Sequence, residues 1–302
     1  DPQKIPFLLD ELLMQEEISS TIKSGMRIAI TVGSRGLSNM IILVKTLVAF
    51  IKSRGGVPFI VPSMGSHGGA TAEGQRQILE GYGITEGSIG CSIVSSMDVV
   101  CIGKTQDGRS VFIDKNAANA DGIIVFCRIK PHTAFRGEYE SGILKMMAIG
   151  LGKQQGAELC HAMGFKDLAK NVAEFGRTVL YNAPILFAVS IIENALEETA
   201  RIFVIPQEKI EFEEPKLLRL AYSMMPKIMK SSCDVLIVDK IGKNFSGDGM
   251  DPNITGTFST PYATGGIQSQ RVCVLDLSEE THGNGVGIGM AHTTTRRAVD
   301  KL

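Results

Sequence analysis

Met26-Arg27-Ile28-Ala29-Ile30-Thr31-Val32, broken at once by Gly33-Ser34-Arg35-Gly36, is the stretch that decides the fold class. An apolar, β-branched run of that length reads as a strand, and the glycine-bounded break ends it. Ser38 then stands as a helix cap for residues 39–53, closed by Gly55-Gly56. The apolar residues of that segment surround it, which predicts a buried helix. Residues 57–61 read as the next strand, followed by the loop Pro62-Ser63-Met64-Gly65-Ser66-His67-Gly68-Gly69. Thr71 then caps a second helix with Glu73 in its first turn, and Gly81 and Gly83 mark its stop. Strand, loop and helix in alternation predict an α/β fold. In open α/β sheets, loops that follow strands are where ligands bind.

The same alternation continues. Residues 90–114 read as short strands turning at Asp107-Gly108, and 121–129 as a strongly buried strand. A helix is expected over 154–176, strands over 185–192 and 201–205, and a bridging helix over 213–230. Asp234-Val235-Leu236-Ile237-Val238 then opens a second domain as a buried strand. A chain of 302 residues exceeds the usual size of one core. The expectation is a larger N-terminal domain, 1–230, with a mixed or mostly parallel sheet and flanking helices. A smaller α/β C-terminal domain, 231–302, would follow, with the active site between them. The chain opens with Asp1-Pro2 and ends at Lys301-Leu302 inside an apparent helix, so it is expected to be a portion of a longer protein.

Composition narrows the class of partner. Lys and Arg number 31 against 32 Asp and Glu, and the net charge of −1 offers no field to attract nucleic acid. The longest apolar segment, 40–51, is too short for a bilayer and contains Lys45. The six cysteines, Cys91, Cys101, Cys127, Cys160, Cys233 and Cys273, form no C-x-x-C pair. Most have apolar neighbours, as reduced thiols of a cytoplasmic protein do. A small-molecule partner is expected, with neither nucleic acid nor membrane.

Five histidines occur, and a histidine taken singly is more often a hydrogen-bonded structural residue than a catalyst. Position singles out two. His67 lies in the glycine-rich loop after a strand, and His132 lies in Lys130-Pro131-His132-Thr133, again just after a strand. Two strand-end imidazoles can converge at one sheet edge, and such a pair suits proton removal on one side of a carbon centre and delivery on the other. Lys145, in Ser141-Gly142-Ile143-Leu144-Lys145-Met146-Met147, is an amine among apolar residues. It is either a snorkelling lysine or a covalent tether. His161 follows sixteen residues later, either on a plain helix face or as a single metal ligand through neutral imidazole. His282 and His292 read as structural. The spaced glycines Gly283, Gly285, Gly287 and Gly289 are out of register for a dinucleotide fingerprint.

Taken together, Val61-Pro62-Ser63-Met64-Gly65-Ser66-His67-Gly68-Gly69, Lys130-Pro131-His132-Thr133, Ser141-Gly142-Ile143-Leu144-Lys145 and His161 resemble the nickel-dependent lactate racemase family over roughly residues 25–260. That resemblance implies an isomerase, a racemase or epimerase of a small 2-hydroxy acid acting by proton-coupled hydride transfer. It implies a nickel-pincer nucleotide as cofactor, with Lys145 as its covalent tether and His161 as the protein ligand to nickel. His67 and His132 would be the acid/base pair. Arg35 would hold the substrate carboxylate, a task suited to a planar guanidinium. The cofactor-biosynthesis proteins become expected partners. The loop from Gly242 to Asn253 offers Lys243 and Asn253 as further substrate-binding candidates. The family uses an aromatic wall that includes a tryptophan, and this chain has no Trp, which extends the expected substrates to larger or more polar 2-hydroxy acids.

Two other classes fit the residues read without the resemblance. One is an oxidoreductase or lyase using a nicotinamide or a divalent metal. The other is a non-catalytic binder of an anionic metabolite, with the glycine loops as backbone anion nests.

Overall fold

The computed structural model describes residues 1–302, which divide into two compact units. The first comprises Asp1–Lys130 and Gly137–Met224, and the second Pro131–Arg136 and Met225–Leu302. Pro131–Arg136, the segment that contains His132, thus belongs with the C-terminal residues.

The first unit is built on a six-stranded sheet in the order β3-β2-β1-β6-β7-β8. Its strands are β1 (Arg27–Val32), β2 (Val57–Pro62), β3 (Ser92–Ile93), β6 (Gly122–Arg128), β7 (Ile185–Glu193) and β8 (Thr199–Pro206). The first five run parallel, and β8 is antiparallel to β7. A separate hairpin pairs β4 (Val99–Lys104) with β5 (Ser110–Asp114) around the Asp107-Gly108 turn. Strands β1, β2 and β6 are buried nearly throughout, as expected where helices cover both faces of a parallel sheet. The core joins Ile28, Ile30 and Phe126 of the sheet to Leu43 and Leu47 of the helix Met40–Ser53.

Chain order fixes where a ligand can enter. After β1 the chain moves to β2 on one side, whereas β6 pairs with β1 on the other. The strand order therefore reverses between β1 and β6. Because β1, β2 and β6 are parallel, the loops after Val32, Pro62 and Arg128 leave from the same sheet edge. That edge, at such a reversal, is the usual crevice of an open α/β sheet.

The second unit holds a three-stranded parallel sheet, β11-β10-β9, formed by β9 (Ser232–Ile241), β10 (Gln268–Leu277) and β11 (Thr293–Thr294). Ile241, Met250, Val272, Val274 and Leu277 make its small core.

Several local expectations need correction. The helix after β1 begins at Met40, with Asn39 as its cap residue in the left-handed region (φ 61°). Ser38 is no cap: its amide donates to Glu193 Oε1 at 2.6 Å. That helix is buried on most sides but leaves Ile41, Lys45, Ala49 and Lys52 exposed as one stripe. The helix expected over 154–176 is two, Lys153–His161 and Leu168–Asn182, because the chain turns at Gly164 with φ 73°. The helix expected over 213–230 spans Ile210–Met224, carries Pro215 inside it and stops before Pro226. Strand β9 is not fully buried. Val235 and Ile237 are 54% and 62% exposed, because only one face of this short sheet is covered.

Candidate active site

The loops at the strand reversal enclose a cavity of about 210 Å³ in the first unit. Its wall includes Arg35, His67 and Lys145, three residues singled out by the sequence, together with Arg128 and Lys130. Leu37, Met40, Phe126 and Met146 supply an apolar side, and no carboxylate lines the cavity. Two arginines, two lysines and a histidine on one wall suit an anionic ligand, with Arg128 already paired with Glu193. Ordinary small-molecule sites run to roughly 300–1,000 Å³, so this cavity accommodates the reacting head of a ligand rather than a whole nucleotide.

Each loop is held from behind. Tyr82 donates its hydroxyl to Ser34 O at 3.0 Å, beside Arg35. Gly36 lies so close under the Tyr82 ring that a Cβ there would stand 2.9 Å from it. Arg128 pairs with Glu193, the carboxylate that also receives the Ser38 amide. In the His67 loop, Gly65 takes φ 58°, a left-handed turn that favours glycine. The buried side chain of Gln75 donates through Nε2 to Gly65 O (2.9 Å) and His67 O (3.3 Å).

Lys145 closes a short turn, Ile143–Lys145, that continues through a π-helical turn, Met146–Gly150. Its start is capped by a buried carboxylate: Glu214 Oε2 accepts the Leu144 amide at 3.0 Å. Glu214 is 1% exposed, and burial pushes its carboxyl up to about 8, against the pull of the Leu144 and Ile143 amides. This cap explains Gly142, since a Cβ there would lie 2.2 Å from Glu214 Oε1. Burial disfavours the thiolate form of the two cysteines nearby. Burial raises Cys127, on the cavity wall, and pushes Cys160 up to about 12, the latter opposed by the charges of Arg109 and Lys145.

His161 is not on the cavity wall. It ends the helix Lys153–His161, exposed, with Nδ1 2.6 Å from Ala157 O. A carbonyl only accepts, so Nδ1 carries a proton, and in the neutral ring Nε2 is then the nitrogen with the lone pair. That is the tautomer a metal-ligating histidine needs, with the second ring nitrogen anchored on a carbonyl.

The remaining candidates belong to the second unit. His132 accepts the Ala134 amide on Nδ1 at 3.0 Å and lies 4.2 Å from the Phe135 ring. Its neutral ring therefore presents Nε2–H. Asn253 donates to His132 O (3.3 Å) and Asp251 Oδ1 (3.0 Å) and accepts from Arg136. Lys243 donates to Gly247 O at 2.8 Å. His292 accepts the Val272 amide at 3.0 Å and is structural.

Sequence reasoning overlooked Arg128, Glu214 and the buried trio Lys153, Asp114 and Gln75. Arg128 sits at the end of a strand that reads as wholly apolar, and the other four acquire meaning only from partners distant in sequence. No helix is long and apolar enough to cross a membrane.

Similar proteins agree on the fold. A protein from Thermotoga maritima superposes with a TM-score of 0.63 at 13% identity, over 91% of this chain and 70% of its own. The lactate racemase apoprotein from Thermoanaerobacterium thermosaccharolyticum superposes with a TM-score of 0.56 at 14% identity, over 90% of this chain and 67% of its own. No curated protein matches the sequence. A profile described as the lactate racemase N-terminal domain matches residues 2–172, more than half of the chain. The chain therefore belongs to the lactate racemase N-terminal domain family.

Proposed function

We propose that this protein is a racemase or epimerase of a small 2-hydroxy acid that works with a nickel-pincer nucleotide. The observation that carries the proposal is the cavity at the strand reversal, where Arg35, His67 and Lys145 share one wall with two further cations and no carboxylate. The donor set suits such a group. Lys145 offers an amine for an amide-type link, the other cations suit carboxylate oxygens, and the apolar side suits a flat ring, so the cavity fits the ring end of the group while the rest of the nucleotide would lie outside it. His161 offers Nε2 to the metal.

When bound, the nucleotide would supply a hydride-accepting centre for the 2-hydrogen of the substrate. The chain supplies the rest. Arg35 anchors the substrate carboxylate through a charge-assisted fork, which fixes which face of the 2-carbon is presented. His67 and His132 are the acid/base candidates for the hydroxyl proton. For His132 this sets a condition. Its Nδ1 holds the Ala134 amide, so a base role at Nε2 requires the ring to give up that bond. The same proposal makes the cofactor-making enzymes partners and the cytoplasm the place of action.

The test is co-expression with the cofactor-making enzymes, followed by intact mass, metal analysis and deuterium wash-out from C2 across a panel of 2-hydroxy acids. A mass increase on the peptide bearing Lys145, stoichiometric nickel and loss of deuterium are expected. An unmodified Lys145 together with tight NAD(H) binding would replace this reading with an ordinary oxidoreductase.

A further inference from the structure

We propose that Lys153 is a positioning residue for His67, a fixed ammonium that ties both ends of the His67 loop to the segment carrying Lys145. The inference rests on the racemase reading for its consequence in catalysis. The geometry on which it stands is independent of that reading.

Lys153 is a lysine with no exposed surface, and it takes φ 53°, a left-handed conformation uncommon outside glycine. Its Nζ donates to Pro62 O, the residue that opens the loop, and to Gln75 Oε1 at 3.2 Å. It also stands 3.2 Å from Asp114 Oδ2. Gln75 and Asp114 are as buried as the lysine. That Asp114 oxygen receives no aligned hydrogen bond, so the contact is charge compensation, while Asp114 Oδ1 accepts the Asn116 and Ala117 amides. Burial draws the lysine below its ordinary range and the Asp114 charge opposes this.

Gln75 relays the grip. With Oε1 turned to the ammonium, Nε2 must face the opposite way, and there it meets Gly65 O and His67 O. One charge thus holds Pro62 directly and His67 through a single amide. The loop is also joined to the tether segment by Gly65 N donating to Gly150 O at 3.2 Å. Lys153 itself lies just beyond that segment. A buried ammonium costs several kcal/mol to desolvate, and an apolar side chain would fill the same space without that cost. What an apolar side chain cannot do is bind Pro62 O and orient Gln75. The interval between the His67 backbone and the Lys145 segment is therefore set by this network.

The test compares Lys153→Met with wild type in the full chain, using hydrogen exchange resolved by peptide, and kinetics on the cofactor-loaded protein. Amides of residues 63–70 should exchange at least roughly tenfold faster, as loss of a charged hydrogen bond implies, while those of β6 stay unchanged. Lys145 modification should persist, KM should stay within a few-fold, and kcat should fall by roughly 10²-fold, the scale of a misplaced catalytic group. Gln75→Met keeps the charge pair with Asp114 and removes the relay, so it must reproduce the loop loosening even where Lys153→Met fails to fold. Unchanged exchange at 63–70, or an equal rise in every peptide of Gln75→Met, would overturn the proposal. If wild type itself lacks the mass increase at Lys145, the racemase reading fails, and loop exchange alone still decides the role of Lys153.

Discussion

The two units keep their candidate residues in different ways. In the first, Arg35, His67 and Lys145 project from a wall whose backbone is fixed from behind by Tyr82, Gln75 and Glu214. In the second, Asn253 and Lys243 spend their polar groups on neighbouring carbonyls and carboxylates. Backbone support from behind fixes where a side chain starts, whereas a side chain that is itself the support moves only at the cost of the bonds it holds. The first arrangement is that of a preorganised site, and the second that of a structured loop. Substitutions in the first unit should accordingly damage chemistry, and those in the second should mainly loosen local structure.

The largest effect is expected at Lys145. Lys145→Ala should abolish the mass increase and all racemisation, with folding intact by circular dichroism. Partial activity with bound nickel would mean that the wall does not depend on a covalent tether. Next comes His67→Ala, for which loss of a general acid/base predicts a kcat reduced by about 10²- to 10⁴-fold with Lys145 still modified. Arg35→Ala should act on binding. Removing a charge-assisted contact worth about 1.5–3 kcal/mol predicts a rise in KM of roughly 10- to 100-fold, measured by initial rates.

A stability effect sharpens the same contrast. Glu214 has a folded value of about 8 against an ordinary 4.5, so between these the folded chain holds a proton that the unfolded chain has released. Its contribution is greatest below pH 4.5 and is lost as pH rises through 8, on the order of a few kcal/mol in all. The thermal midpoint should therefore fall between pH 5 and 8 more steeply in wild type than in Glu214→Gln. Equal slopes would show that Glu214 is not the neutral cap of the turn bearing Lys145.

The sequence exposed this arrangement unevenly. Strands β1, β2 and β6 were legible because residues buried on both faces leave continuous apolar text, and the loops that follow them are bounded by glycine and proline. The same text misled at β9, where Val235 and Ile237 look buried yet face outward. A strand's apolarity does not say how many layers cover it. At the candidate site, His67 stood out as an imidazole in a glycine-rich loop after a strand and Lys145 as an amine among apolar residues, while Arg35 was read only through the resemblance. Lys153 carried no signal, since a lysine after Gly152 looks like an ordinary surface residue until Pro62, Gln75 and Asp114 surround it. Glu214 was hidden in the same way within a helix rich in charge. Networks that join residues 62, 75, 114 and 153 have no periodicity for a sequence reading to find.

The smallest effects belong to the second unit. Lys243→Ala removes the bond to the Gly247 carbonyl, and Asn253→Ala removes the amide joining Arg136, Asp251 and the His132 carbonyl. A neutral or half-exposed hydrogen bond contributes about 0.5–1.5 kcal/mol, so each change should cost a few-fold in kcat/KM and a small shift in melting temperature. Asn253→Ala should be the larger of the two, because it removes bonds to three partners at once, although Arg136 Nη1 still holds the His132 carbonyl. Should Lys243→Ala instead raise KM as far as Arg35→Ala does, its ammonium must leave Gly247 to reach the substrate. Lys243 would then count among the substrate-binding residues, and the contrast between a supported wall and a self-satisfied loop would not extend to it.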